Sequence, residues 1–152
     1  MQLFIVTGSS RGMGEAIAQA LLQADHVVLG IARHESAALS ITAKNRGVEL
    51  LQWQADLSQP LAVATRLREW LQGQEAGRFE RIHLINNAAL ITPPGPLENC
   101  TLEALSGMAR VGLEAVLLLS AAFLQGSKSW TAGRRILNIS SGLGRRDRKS
   151  VV

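Results

Sequence analysis

The chain has 152 residues, of which 47% are hydrophobic and 18% charged, a balance that supplies one domain with an apolar core and excludes a disordered or fibrous polymer. Its net charge of +4 sits mostly at one end: Arg145, Arg146, Arg148 and Lys149 against Asp147 leave 12 basic and 11 acidic residues in the rest. A basic tail on a near-neutral body, without aromatic interleaving or a basic helix face, excludes a nucleic-acid-binding surface.

Met1-Gln2 leads directly into Leu3-Phe4-Ile5-Val6, a continuous apolar run of the buried-strand kind, with no basic start or cleavage site of a secretory leader. Thr7-Gly8-Ser9-Ser10-Arg11-Gly12-Met13-Gly14 follows, and Ile17, Ala18, Ala20, Leu21 and Leu22 then recur at helical spacing over 12–24. Val27-Val28-Leu29-Gly30-Ile31 gives a second strand. Three glycines between a strand and a helix meet a steric requirement. The turn needs backbone angles closed to most side chains, and a phosphate must reach the main-chain N–H groups at the helix start. The pattern predicts a dinucleotide pyrophosphate cradle. A P-loop is excluded, because the Gly-Lys-Ser/Thr that holds terminal phosphates and magnesium is missing.

The second strand ends Ile31-Ala32-Arg33-His34. An acid at this point would hold a ribose 2′-hydroxyl, whereas an arginine accommodates a 2′-phosphate. Arg33, with Arg11 as a second cation, therefore predicts NADP(H); as bare residues, both are also ordinary solvated charges. A helix over 35–45, a strand over 48–53 and a helix over 59–75 come next. Asp56 in Gln54-Ala55-Asp56-Leu57 ends the third strand, either beside the nucleotide or as a cap for the helix after Pro60. A strand over 82–86 runs into Asn86-Asn87-Ala88-Ala89, read either as site residues or as turn formers. Thr92-Pro93-Pro94-Gly95-Pro96 forms neither helix nor central strand. Cys100 is the single cysteine and has no internal disulfide partner, so a small buried or half-buried thiol and a reducing cytoplasm are expected. A helix over about 101–124 and a strand over 135–140 complete the alternation. Its longest apolar stretch, Leu113 to Leu124, is twelve residues and carries Glu114, short of the ~20 that a membrane helix needs. Such alternation predicts an α/β fold, a Rossmann-type doubly wound parallel sheet in one domain, and no metal site is expected.

Thr7-Gly8, Gly12, Gly14, Asp56-Leu57, Asn86-Asn87-Ala88-Ala89 and Arg135-Ile136-Leu137-Asn138-Ile139-Ser140-Ser141 stand in order at compatible intervals, and over about residues 1–146 the chain resembles the short-chain dehydrogenase/reductase family. Leu84-Ile85 before the asparagines, the proline-rich loop and Trp130 resemble its sepiapterin and benzil reductase branch, a group of NADPH-dependent carbonyl reductases. The resemblance implies Gly8, Ser10, Arg11, Gly12, Met13 and Gly14 around the pyrophosphate and adjacent ribose, with Arg33 near the 2′-phosphate. It implies Asp56 and Leu57 against the adenine, and Asn87, Ala88 and Ala89 along the nicotinamide ribose. Ala89 departs from the usual glycine. Ser141 matches the serine that holds the substrate carbonyl while hydride arrives. A small-molecule carbonyl substrate and a homo-oligomeric parent are implied as well, with neither nucleic acid nor membrane as partner.

Family catalysis also uses a tyrosine as proton donor in Tyr-x-x-x-Lys, and this chain contains no tyrosine. The matching position falls just beyond Val152. Lys149 stands at the wrong interval, and Gly112 aligns where a helix asparagine is usual. Asp147-Arg148-Lys149-Ser150-Val151-Val152 is also the translation of GATCGGAAGAGCGTCGTG, a short-read sequencing adapter. Residues 147–152 are therefore expected to be a non-native tail on a sheet truncated after its fifth strand. Two readings follow, an NADP(H)-dependent reductase present as an inactive fragment, or a non-catalytic nucleotide-binding module or redox sensor. An isolated fragment of this kind is expected to be weakly stable, because its fifth strand is an exposed edge.

Overall fold

The structure, a computed structural model, describes residues 1–92 and 95–141. The expected tail at 147–152 lies outside them. Five strands, β1 (Gln2–Thr7), β2 (His26–Ala32), β3 (Glu49–Gln54), β4 (Arg81–Asn86) and β5 (Gly133–Asn138), form a single sheet in the order β3-β2-β1-β4-β5. All pairings are parallel. The doubly wound α/β architecture is thus as the alternation predicts, with element ends shifted by a few residues.

Helix α1 (Gly12–Leu21) follows β1, α2 (Ala37–Arg46) follows β2, and α3 (Pro60–Gln72) follows β3. Their limits have local causes. Ser36 caps α2 by accepting from the Leu39 N–H, and Gly47 ends it at φ 63 in the left-handed region. Pro60 opens α3 at its first turn, where a missing N–H costs nothing. In β1 the alternate residues Leu3 and Ile5 join Leu67, Leu71, Leu119 and Phe123 in the larger core. Phe4 and Val6 face the other layer, where α1 and α2 cover the sheet. Such two-sided cover explains why β1 and β2 read as unbroken apolar runs.

Between β4 and β5 the chain forms α4 (Leu102–Ala109), a π-helical segment over Arg110–Glu114, and α5 (Ala115–Gly126). The sequence predicts one uninterrupted helix here, because an extra residue in one turn leaves composition and periodicity almost untouched. Leu102–Gly126 is a continuous helical stretch of 25 residues that contains an 18-residue window of mean hydropathy 1.6, long and apolar enough to cross a membrane by length and composition alone, a test that the core helix of a soluble protein also passes. α5 packs on α3 and contributes Ala115, Leu119, Ala122 and Phe123 to the core.

Candidate functional site

A doubly wound sheet opens a crevice where consecutive strands leave in opposite directions, here between β1 and β4 at their C-terminal ends. The glycine turn and the Asn86-Asn87-Ala88-Ala89 segment meet there. A cleft of about 690 Å³ lies over them, lined by Gly8, Ser10, Arg11, Met13, Gly14, Arg33, Asp56, Leu57, Asn87, Ala88 and Ala89, together with Ile31, Ala32, Ala55, Ser58, Leu90, Ile91 and Val111. Eleven of the twelve sequence-predicted binding residues line it. Gly12, the twelfth, is in the same turn, at the first position of α1. Ser141, three residues beyond the end of β5, is exposed and does not line this cleft.

Steric demands at the glycines are specific. Gly8 has φ +69 and Gly12 φ +58, angles that side chains resist. Gly14 has an ordinary φ but no room: a Cβ there would lie 2.1 Å from the Gly8 carbonyl oxygen and 2.4 Å from Asn87 Nδ2. No side chain caps the start of α1. The start of a helix left uncapped offers first-turn N–H donors and the positive end of the helix dipole to an anion, and here Met13 and Gly14 of that turn line the cleft.

Thr7 joins the two sides of the crevice. Its buried Oγ1 accepts from the Asn87 N–H and the Ala88 N–H, each at 3.0 Å. Asn87 Nδ2 returns a bond to the Thr7 carbonyl at 2.9 Å. The asparagine thus braces the glycine turn instead of merely forming its own. Ser9, 2% exposed, packs over Gly30, where a Cβ would lie 2.5 Å from Ser9 Oγ. The sequence pattern includes Thr7 in the glycine motif but gives it no partner, and it does not mark the Ser9–Gly30 contact. Only their register across the sheet reveals them.

Charge at the adenine end is mixed. Arg11, Arg33 and Asp56 are all exposed. Asp56 Oδ1 accepts from the Ser58 N–H at 2.9 Å. This bond, then that of the Ser58 side chain, holds the Asp56 carboxyl below its ordinary 3.8 against the opposing effect of burial, with the Arg33 charge adding to the lowering. Asp56 closes a turn before α3, while the residue at the cap position is Gln59, which makes no side-chain cap bond.

At the reactive edge, Asn86 Nδ2 donates to Asn138 Oδ1 at 2.8 Å, and the Ile139 N–H bonds the Asn86 carbonyl. Asn86 Oδ1 is buried without a hydrogen-bond partner among the described residues. Cys100 is half-buried, its Sγ 3.9 Å from the Pro96 carbonyl oxygen. No group of three or more potential metal ligands occurs among the described residues.

A family model described as short chain dehydrogenase matches residues 2–152. Benzil reductase ((S)-benzoin forming) of Bacillus cereus is 32% identical over 145 residues, covering 95% of this chain and 58% of the relative. The enzyme of the same description from Bacillus subtilis is 31% identical, with 93% and 56% covered. Among solved structures, a short-chain dehydrogenase/reductase from Burkholderia vietnamiensis superposes with TM-score 0.82 at 33% identity, covering 96% of this chain and 66% of that one. A short-chain dehydrogenase from Sphingobium yanoikuyae in complex with NADPH gives 0.78 at 26%, with 97% and 56% covered. The chain spans little more than half the length of these two curated relatives. With the ordered motifs gathered on one crevice of a doubly wound sheet and a family match running along nearly its whole length, the chain belongs to the short-chain dehydrogenase family.

Proposed function

We propose that this chain is the NADP(H)-binding portion of a reductase that delivers hydride to the carbonyl of a ketone, a diketone or a pterin side chain. The observation that carries the cofactor reading is the end of β2: Arg33, and no acid of that strand end, lines the cleft. Gly8 and Gly14, where a Cβ would strike Ala88, Asn87 or the Gly8 carbonyl, keep the turn tight against the start of α1, which supports a pyrophosphate lying there. Bound there, the dinucleotide supplies the hydride. Gly8, Ser10, Arg11, Gly12, Met13 and Gly14 hold its phosphates and the neighbouring ribose, and Arg33 with Arg11 takes the 2′-phosphate. Asp56 and Leu57 border the adenine, while Asn87, Ala88 and Ala89 border the nicotinamide ribose. Relatives named as benzil reductases and as NADP-bound oxidoreductases support this reading.

Ser141 is the residue that would hold the substrate carbonyl by a donated hydrogen bond. A tyrosine is absent from the chain, so it offers no phenol to protonate the nascent alkoxide. Taken alone, that points to the second reading, a nucleotide-binding module without turnover; the adapter-like ending and the 58% coverage of the Bacillus cereus relative favour the first, a reductase whose further sequence lies beyond Arg146. The parent protein is a homo-oligomer of the reducing cytoplasm in either case.

Fluorescence titration of the 152-residue chain with NADPH and NADH tests the cofactor assignment. Tighter binding of NADPH is expected, and a preference for NADH overturns it. Recovering the genomic frame after Arg146 tests the chemistry. A Tyr-x-x-x-Lys there, with NADPH oxidation by benzil in the extended product and none in the 152-residue chain, supports the reductase; an uninterrupted frame with the present ending favours the binding module.

A further inference from the structure

Arg33 is exposed, yet the backbone that carries it is fastened on both sides. On its N-terminal side the Ala55 N–H bonds the Ala32 carbonyl at 2.8 Å, and Ala32 pairs with Gln54 as the last rung between β2 and β3. Beyond Ala32 the chain turns away from β3, and the fastening passes to side chains around Ser36. The Ser36 N–H donates to Gln52 Oε1 at 2.8 Å, and Gln52 Nε2 donates to the Ser36 carbonyl at 3.1 Å and to Ser40 Oγ at 2.9 Å. One side-chain amide thus satisfies both main-chain groups of Ser36, much as a neighbouring strand would.

The hydroxyl of Ser36 links a third element. It donates to Glu15 Oε1 in the first turn of α1 while accepting from the Leu39 N–H at 3.1 Å. A helix cap needs only the last of these. Ser36 at the centre of the cluster is 4% exposed, while Glu15 and Gln52 are half-buried and Ser40 is exposed. Residues 33–35 form a short span between two anchors, one on the sheet ladder and one tied to α1. Glu15, Ser36 and Gln52 are all outside the lining of the cofactor cleft.

We propose that Glu15, Ser36 and Gln52 are positioning residues for Arg33: they fix the span that presents its guanidinium to a 2′-phosphate, and so set the preference for NADP(H) without touching the nucleotide. The inference rests on the reading of Arg33 as the 2′-phosphate ligand. Holding a cation at a fixed place strengthens its contact with a phosphate by lowering the ordering cost of binding, and a displacement of about 1 Å is enough to lose it.

The test uses the 152-residue chain and two adenine nucleotides, 2′,5′-ADP and 5′-AMP, titrated calorimetrically. The parent is expected to prefer 2′,5′-ADP. Gln52→Met and Ser36→Ala are each expected to weaken 2′,5′-ADP about tenfold and to leave 5′-AMP within about twofold, whereas Ser36→Thr keeps the parent ratio. Melting of the ligand-free variants checks folding, and if Gln52→Met does not fold, the Ser36→Ala and Ser36→Thr pair carries the measurement. An unchanged ratio in the variants, or equal weakening of both nucleotides, overturns the positioning role while leaving Arg33 as the ligand. A parent without preference for 2′,5′-ADP overturns the Arg33 reading and this inference together.

Discussion

Thr7 and Gly14 show how few atoms separate a working crevice from a closed one. Thr7→Val removes the acceptor shared by two main-chain N–H groups at a position 1% exposed. It is expected to cost about 2 kcal/mol in urea denaturation, since an unmade buried bond costs more than a made one gains. Gly14→Ala puts a methyl against the Gly8 carbonyl and Asn87, and is expected to abolish NADPH binding in the fluorescence titration as well as lower the melting temperature. His83 supplies a pH dependence. It stacks on Phe4 with centroids 4.4 Å apart and lies within 3.2 Å of Gln2 Oε1. Burial first, then Arg135, Arg81 and His26, hold its pKa below the ordinary 6.5. Its neutral form is thus favoured in the fold, so the stability present above pH 6.5 declines as pH falls through the lowered value. His83→Gln is expected to flatten that acid limb in melts recorded across pH. The glycines were legible in the sequence because their constraint is local. The bracing role of Thr7 was not, because its partner Asn87 lies 80 residues away and the pairing exists only once β1 and β4 are in register.

The same contrast holds for elements. Strands β1 and β2 announce themselves as apolar runs because they are covered on both faces. The contact between α3 and α5 leaves no such mark. A Cβ on Gly126 would lie 2.8 Å from Leu71 Cβ and 2.9 Å from the Arg68 carbonyl oxygen, so this glycine lets the two helices approach. Gly126→Ala is expected to force them apart and to destabilise the fold by roughly 1–3 kcal/mol in thermal or urea denaturation. The π-helical turn at Arg110–Glu114 is equally silent in the sequence. It inserts one residue between α4 and α5, and so rotates their apolar residues relative to each other. Val111, in this segment, borders the cleft.

For the molecule as a whole, the uneven covering of the sheet is the dominant feature. Every residue of β5 is exposed, with Ile136 at 36% and Leu137 at 54%, and Leu113 and Leu117 on the nearby helical stretch are above 60%. No strand pairs with the outer side of β5 among the described residues. Bare apolar surface beside an open strand edge favours association. The 152-residue chain is expected to sediment as a concentration-dependent mixture, and Leu137→Lys to shift it towards monomer. The clasp through Thr7 and Asn87 has a complementary meaning. Its own groups all come from residues before Leu90, and of the described cleft lining only Leu90, Ile91 and Val111 come later, so the proposed grip on the dinucleotide rests almost wholly on the first part of the chain. A chimera that takes this chain through Ala89 and a related reductase thereafter would inherit its nucleotide preference from the first parent and its reaction from the second.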